Sequence, residues 1–226
     1  MSAPYPRYSY TYTTGPRVSP QRPASTSAIE LRHLAIASLV LTLDFVLIYG
    51  QHSLYSAGTE AVIVATSAAA ALTAFVAHEM AHKLSAQRRG YWAEFRMSPA
   101  GLLVSVITAY IGFLFAAPGA TMIGGMSNPS DWGRTSLAGP LTNFAFALLF
   151  LSASVGVSVL APAESLFSGS LLFLAFINGW FGAFNMIPIG PLDGAKVFRW
   201  SRGVWVVSFV VFVALAGSLY FLFFIG

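Results

Sequence analysis

The chain has 226 residues, of which 56% are hydrophobic and 9% charged, with a mean hydropathy of +0.70, and a soluble fold of this length could not easily solvate such a surface. It contains no Cys, which excludes disulfides and thiolate ligands and leaves His and carboxylates to hold any metal. The net charge of +4 and pI near 9.6 would suit nucleic acid, but the basic residues follow membrane topology, so no nucleic-acid partner is expected.

Residues 1–27 are rich in Pro, Ser, Thr and Tyr with scattered Arg, the composition of a disordered tail. Residues 28–226 read as a single transmembrane domain in an all-α fold. The first apolar run, Leu34 to Gly50, lies too far from the N-terminus for a signal peptide, lacks a small-residue cleavage site, and reads as a retained span. A second span covers Ala61 to Lys83. Thr135 to Leu160, Leu166 to Ile189 and Val204 to Ile225 are each close to or above the ~20 residues needed to cross the hydrocarbon core. Ala100 to Ala117 is also apolar, but Gly101, Gly112, Pro118, Gly119, Gly124 and Gly125 make the segment 100–125 a poor continuous helix. It is expected to form a re-entrant loop or hairpin.

The twelve basic residues set the topology. Arg7, Arg17, Arg22 and Arg32 precede the first span; Lys83, Arg88, Arg89 and Arg96 follow the second; Arg134, Lys196, Arg199 and Arg202 flank the later ones. The loops 51–60 and 161–165 have none. If residues 100–125 do not make a single full crossing, all twelve lie on one side, as the positive-inside rule requires. The expectation is five spans in the cell membrane, with the N-terminus in the cytosol and the C-terminus outside.

Near the cytosolic end of the second span stands His78-Glu79-Met80-Ala81-His82. On a helix of 3.6 residues per turn, positions four apart lie about 40° from each other, so His78 and His82 can present imidazoles to one ion. Glu79, roughly 100° from His78, stands beside the ion as a base. The motif lies about 8 Å below the boundary marked by Lys83, at 1.5 Å per residue. A third ligand must come from that depth. Of the eight acids, Asp193 is the best placed, with Glu94 in reserve, since Glu60 and Glu164 fall on the outer side and Glu30 in the tail.

The segment Phe184-Asn185-Met186-Ile187-Pro188-Ile189-Gly190-Pro191-Leu192-Asp193-Gly194, following His78-Glu79-Met80-Ala81-His82, resembles the paired motifs of the site-2 protease family of intramembrane metalloproteases. The likeness covers about residues 61–202. It implies one zinc ion held by His78, His82 and Asp193, Glu79 as catalytic base, and Asn185 holding the substrate strand or polarising its carbonyl. Gly139-Pro140-Leu141-Thr142-Asn143 resembles a further family pattern and carries Asn143 over to the substrate or transition state. The implied partners are the lipid bilayer and a transmembrane protein substrate, such as a membrane-anchored transcriptional regulator. The chain departs from many relatives in having Met80-Ala81 where Gly often precedes the second His, and no PDZ or CBS domain is read in it.

Asp44 falls near mid-membrane, where an unpaired charge costs ~2.5–3.5 kcal/mol on insertion scales, and is read as protonated and bonded to a neighbouring Ser or Thr. His33 and His52 lie at membrane edges and need no metal. The competing reading is a non-proteolytic metal transporter or metal-stabilised binding scaffold that uses the intramembrane His and Asp to carry or hold an ion.

Overall fold

The computed structural model describes residues 24–52, 59–113, 118–163 and 165–225. Residues 1–23 of the tail expected over 1–27, the tip of the 51–60 loop, residues 114–117 of the expected hairpin, Glu164 and Gly226 lie outside the described residues.

Among the described residues, seven helices and two strands follow in chain order. They are α1 (Ala28–His52), α2 (Glu60–Gln87), β1 (Trp92–Met97), α3 (Pro99–Tyr110), β2 (Gly119–Gly124), α4 (Pro129–Leu160), α5 (Ser165–Asn185), α6 (Asp193–Trp200) and α7 (Arg202–Phe224). Five of them, α1, α2, α4, α5 and α7, are long and apolar enough to cross a membrane, as expected. α3 has 12 residues, about 18 Å, and is too short to do so.

Several boundaries differ from the apolar runs because polar caps and prolines set them. Pro99 opens α3 behind Ser98, whose hydroxyl accepts from the Gly101 amide at 3.1 Å. Pro129 likewise opens α4 behind Asn128, which accepts from the Ser130 amide at 2.9 Å. α5 ends at Asn185, short of the expected Ile189, because Pro188 offers no amide proton and disfavours helix in the residue before it.

The expected hairpin is wider than 100–125 and includes a small sheet that the all-α reading did not contain. β1 and β2 pair antiparallel from Trp92↔Gly124 to Met97↔Gly119, with α3 inserted between them. Side chains occupy the other edge of β1: the Phe95 amide donates to Glu30 Oε1 at 3.0 Å, the Met97 amide to His33 Nδ1 at 3.4 Å, and Gln87 Nε2 donates to the Ala93 carbonyl at 3.2 Å. Residues 93, 95 and 97 therefore face away from β2. By the register, Gly119, Thr121 and Ile123 turn their backbone groups away from β1, and no strand pairs with that edge among the described residues.

The spans run alternately up and down. α4 and α5 join as a helical hairpin, and the hydroxyls of Ser154 and Ser168 meet at 3.1 Å near its turn. Tyr49 of α1 stacks on Phe173 of α5 at 4.4 Å between ring centres, and its hydroxyl meets that of Ser170 at 3.2 Å. Within α2 the turn Ala71–Val76 is a π-helix, closed by the Ala77 amide on the Leu72 carbonyl. It inserts one extra residue just before His78 and so re-aims the face that carries the motif.

Candidate metal centre

α2, α4 and α6 meet at one point. α2 supplies His78, Glu79 and His82, all buried. α6 supplies Asp193 from its first turn, because the chain breaks at Pro188 and Pro191 and restarts as helix directly at the aspartate. The start of α6 is pressed against the preceding turn: a Cβ on Gly194 would lie 2.1 Å from the Met186 carbonyl oxygen, so only glycine fits there.

His78 Nε2 and His82 Nε2 are 2.9 Å apart, and Asp193 Oδ2 lies 3.3 and 3.0 Å from them. The opposite ring nitrogens are engaged. His78 Nδ1 meets Asn143 Oδ1 at 2.5 Å, and His82 Nδ1 meets the Thr135 carbonyl at 2.7 Å. A carbonyl oxygen only accepts, so each Nδ1 carries the proton and each Nε2 turns a lone pair to the shared point. The Asn143 amide is oriented in turn: its Nδ2 donates to the Ala74 carbonyl at 2.9 Å and to Asn178 Oδ1 at 3.3 Å. Asn178 Nδ2 continues the chain to the Leu174 carbonyl and to Thr73 Oγ1.

Two imidazoles and a carboxylate form a nitrogen and oxygen donor set suited to zinc. Ligands of a tetrahedral ion at 2.0–2.1 Å stand about 3.3 Å apart, close to the observed edges. Gly139 of α4 completes the cradle, since a Cβ there would lie 2.4 Å from His82 Nε2 and 2.6 Å from His78 Nε2. The residues present therefore fit such an ion.

Glu79 stands outside this triangle. Its Oε2 accepts from the Thr121 hydroxyl of β2 at 2.7 Å. Between α2, β2 and the turn before α6 lies a cleft of about 780 Å³ counted to its open mouth. His78, Glu79, His82 and Asp193 line it, together with Gly119 to Thr121 and Ile123 of β2. Asn185 lines the same cleft, with its Nδ2 bonded to the Phe181 carbonyl at 3.0 Å. Lys196 borders it and approaches Asp193 Oδ1 at 3.4 Å.

The expected residues thus come together, with two differences in placement. Asn143 stands behind His78 and not in the cleft. Glu94, the reserve ligand, lies away from the triangle and pairs with Arg96 and Ser27. Glu30, read from sequence as part of the tail, sits in the first turn of α1 and is wholly buried. Asp44 is wholly buried in α1, and neither of its carboxyl oxygens has a hydrogen-bond partner among the described residues. Sequence reading missed Thr135, Thr121 and Asn178 at the site, and it singled out Gly139 only as part of the pattern ending at Asn143, without a role at the site. Thr135 acts through its backbone and leaves no signal, whereas Asn178, a lone amide in the apolar run FLAFINGW, could have been marked by the argument applied to Asp44.

A bundle of five apolar spans with a two-histidine, one-aspartate triangle beside a buried glutamate defines a membrane protein built like a metallopeptidase. The sequence model of Peptidase family M50 matches residues 91–203. The chain is 33% identical over 170 residues to "Putative zinc metalloprotease MJ0611" of Methanocaldococcus jannaschii, covering 74% of this chain and 83% of that one. It is 30% identical over 135 residues to "Putative zinc metalloprotease Rip3" of Mycobacterium tuberculosis, 58% of this chain and 30% of that one. The chain belongs to peptidase family M50, in accord with its resemblance to the site-2 proteases. No solved structure matches it.

Proposed function

We propose that the chain is an intramembrane-cleaving zinc endopeptidase in which His78, His82 and Asp193 hold the ion and Glu79 moves the proton. The observation that carries this reading is the meeting of two imidazole lone pairs and one carboxylate oxygen, with both Nδ1 protons bonded elsewhere and a second carboxylate beside the triangle. The names of the two relatives support zinc as the ion. Bound there, zinc supplies Lewis acidity, bringing the pKa of a water towards ~7 and polarising a carbonyl.

The protein's own residues do the rest. Thr121 holds Glu79 Oε2, which leaves Oε1 to take a proton from the attacking water and return it to the departing amide nitrogen. A helical substrate hides its carbonyls in internal hydrogen bonds, so the scissile segment must be extended. The unpaired edge of β2 lines the cleft, and a strand added there would run past Glu79. Asn185, at the cleft wall, is the group to hold a substrate carbonyl. Orientation follows from charge: the described Lys and Arg residues belong to the start of α1, the end of α2, β1, the start of α4, α6 and the start of α7, all one end of an alternating bundle. That end faces the cytosol in a cell membrane.

The test is reconstitution with a transmembrane substrate. Wild type is expected to hold one zinc per chain and to cleave; Glu79→Gln keeps the zinc and loses cleavage by about 100-fold or more. Wild-type cleavage rates in Glu79→Gln would overturn the mechanism. Transport of divalent ions that survives Glu79→Gln, with no cleavage by wild type, would favour a carrier.

A further inference from the structure

We infer that Glu30 is a positioning residue for the reaction, fixing the two-stranded sheet against the helix that carries His78, Glu79 and His82. The inference rests on the proposed docking of substrate along β2.

Glu30 lies in the first turn of α1 with 0% of its surface exposed, and its two oxygens serve two different elements. Oε2 accepts from Lys83 Nζ, the residue that directly follows His82 on α2. Oε1 accepts from the Phe95 amide of β1 at 3.0 Å. Lys83 is itself 1% exposed, and its ammonium also donates to Thr26 Oγ1 at 2.9 Å. A lysine placed at the membrane boundary by sequence is thus an internal strut.

One turn further along α2, Gln87 repeats the arrangement: Nε2 donates to the Ala93 carbonyl and Oε1 accepts from the Ala24 amide at 2.8 Å. With His33 on the Met97 amide, three side chains bind the backbone at 93, 95 and 97, alternate positions on one edge of β1. Two consequences follow. β1 is closed to any further strand on that side, so an incoming strand has β2 as its only open edge among the described residues. The distance between β2 and Glu79, read at the Thr121 contact, is set by a latch on the far side of the sheet. A loosened latch therefore weakens docking of the substrate strand more than it alters the reacting groups.

Glu30 differs from an ordinary stabilising ion pair in one respect. A buried pair can be exchanged for apolar groups of similar volume without loss of fold, but no apolar side chain accepts the Phe95 proton. The double variant Glu30→Leu with Lys83→Met separates the two roles. Compared with wild type in lipid nanodiscs, it is expected to keep its zinc and melting temperature while the Phe95 amide exchanges with deuterium at least about tenfold faster. For a transmembrane substrate, with rates normalised to bound zinc, KM is expected to rise about 5- to 10-fold with a smaller fall in kcat. The single variant Glu30→Gln, which keeps an oxygen for Phe95, is expected to retain near-wild-type KM.

Unchanged exchange at Phe95 in the double variant would overturn the latch. Faster exchange with KM unchanged per zinc would overturn the positioning role. If wild type cleaves nothing, the protease reading fails and with it the role in catalysis, while the exchange measurement still decides the latch.

Discussion

Gly139 is the residue at which the site tolerates least. Its missing side chain is the space into which both Nε2 atoms project, so a methyl group there would collide with both imidazoles at once. Gly139→Ala is expected to fold, because alanine is the better helix former, and to retain less than about a tenth of the wild-type zinc by metal analysis. Asn143 acts less directly, as the acceptor that holds the His78 proton on Nδ1. Asn143→Leu is expected to weaken zinc about 10- to 100-fold in a competition titration while leaving helix content intact. At this scale the sequence was most legible where chemistry and spacing coincide, in His78, Glu79 and His82. It was less so for Asp193, whose place depends on the break at Pro188 and the restart of helix, and silent for Thr135, which contributes only a carbonyl.

Between elements, the open edge of β2 carries the substrate reading. Ile123 turns its amide away from β1, so proline there would remove one outward donor without disturbing a ladder bond. Ile123→Pro is expected to keep zinc and to lose cleavage by about tenfold or more, as measured on a transmembrane substrate. Unimpaired cleavage would mean that the strand does not dock there. The glycines and Pro118 signalled that 100–125 was no spanning helix, and in this the sequence was a sound guide. It did not reveal the sheet, because β1 carries Glu94 and Arg96 amid its apolar residues and β2 is only six residues long, flanked by Gly119 and Gly124. The π-turn at Ala71–Val76 was equally invisible, since an extra residue in a uniformly apolar helix leaves the hydropathy unchanged.

For the whole molecule, the distribution of charge makes a direct prediction. The chain lacks Cys, so single cysteines can be introduced without background. Ser127→Cys, in the exposed loop before α4, is expected to resist a membrane-impermeant thiol reagent applied to intact cells. Ala163→Cys, in the α4–α5 turn, is expected to react. Labelling of Ser127→Cys from outside would invert the topology. Lys83 shows where such counting loses meaning, because a buried strut reports on packing and not on orientation.

Both imidazoles are steadied from a single neighbouring rod, α4, whose apolar stretch from Thr135 to Leu160 extends about 39 Å at 1.5 Å per residue, beyond a hydrocarbon core of ~30 Å. A rod that overhangs its solvent leans, and the lean depends on how thick that solvent is. Turnover is therefore expected to peak at one acyl-chain length when the protein is assayed across a series of phosphatidylcholine vesicles, and to fall on either side with zinc still bound. The lipid, through the angle of α4, becomes a mechanical input to the chemistry at the metal.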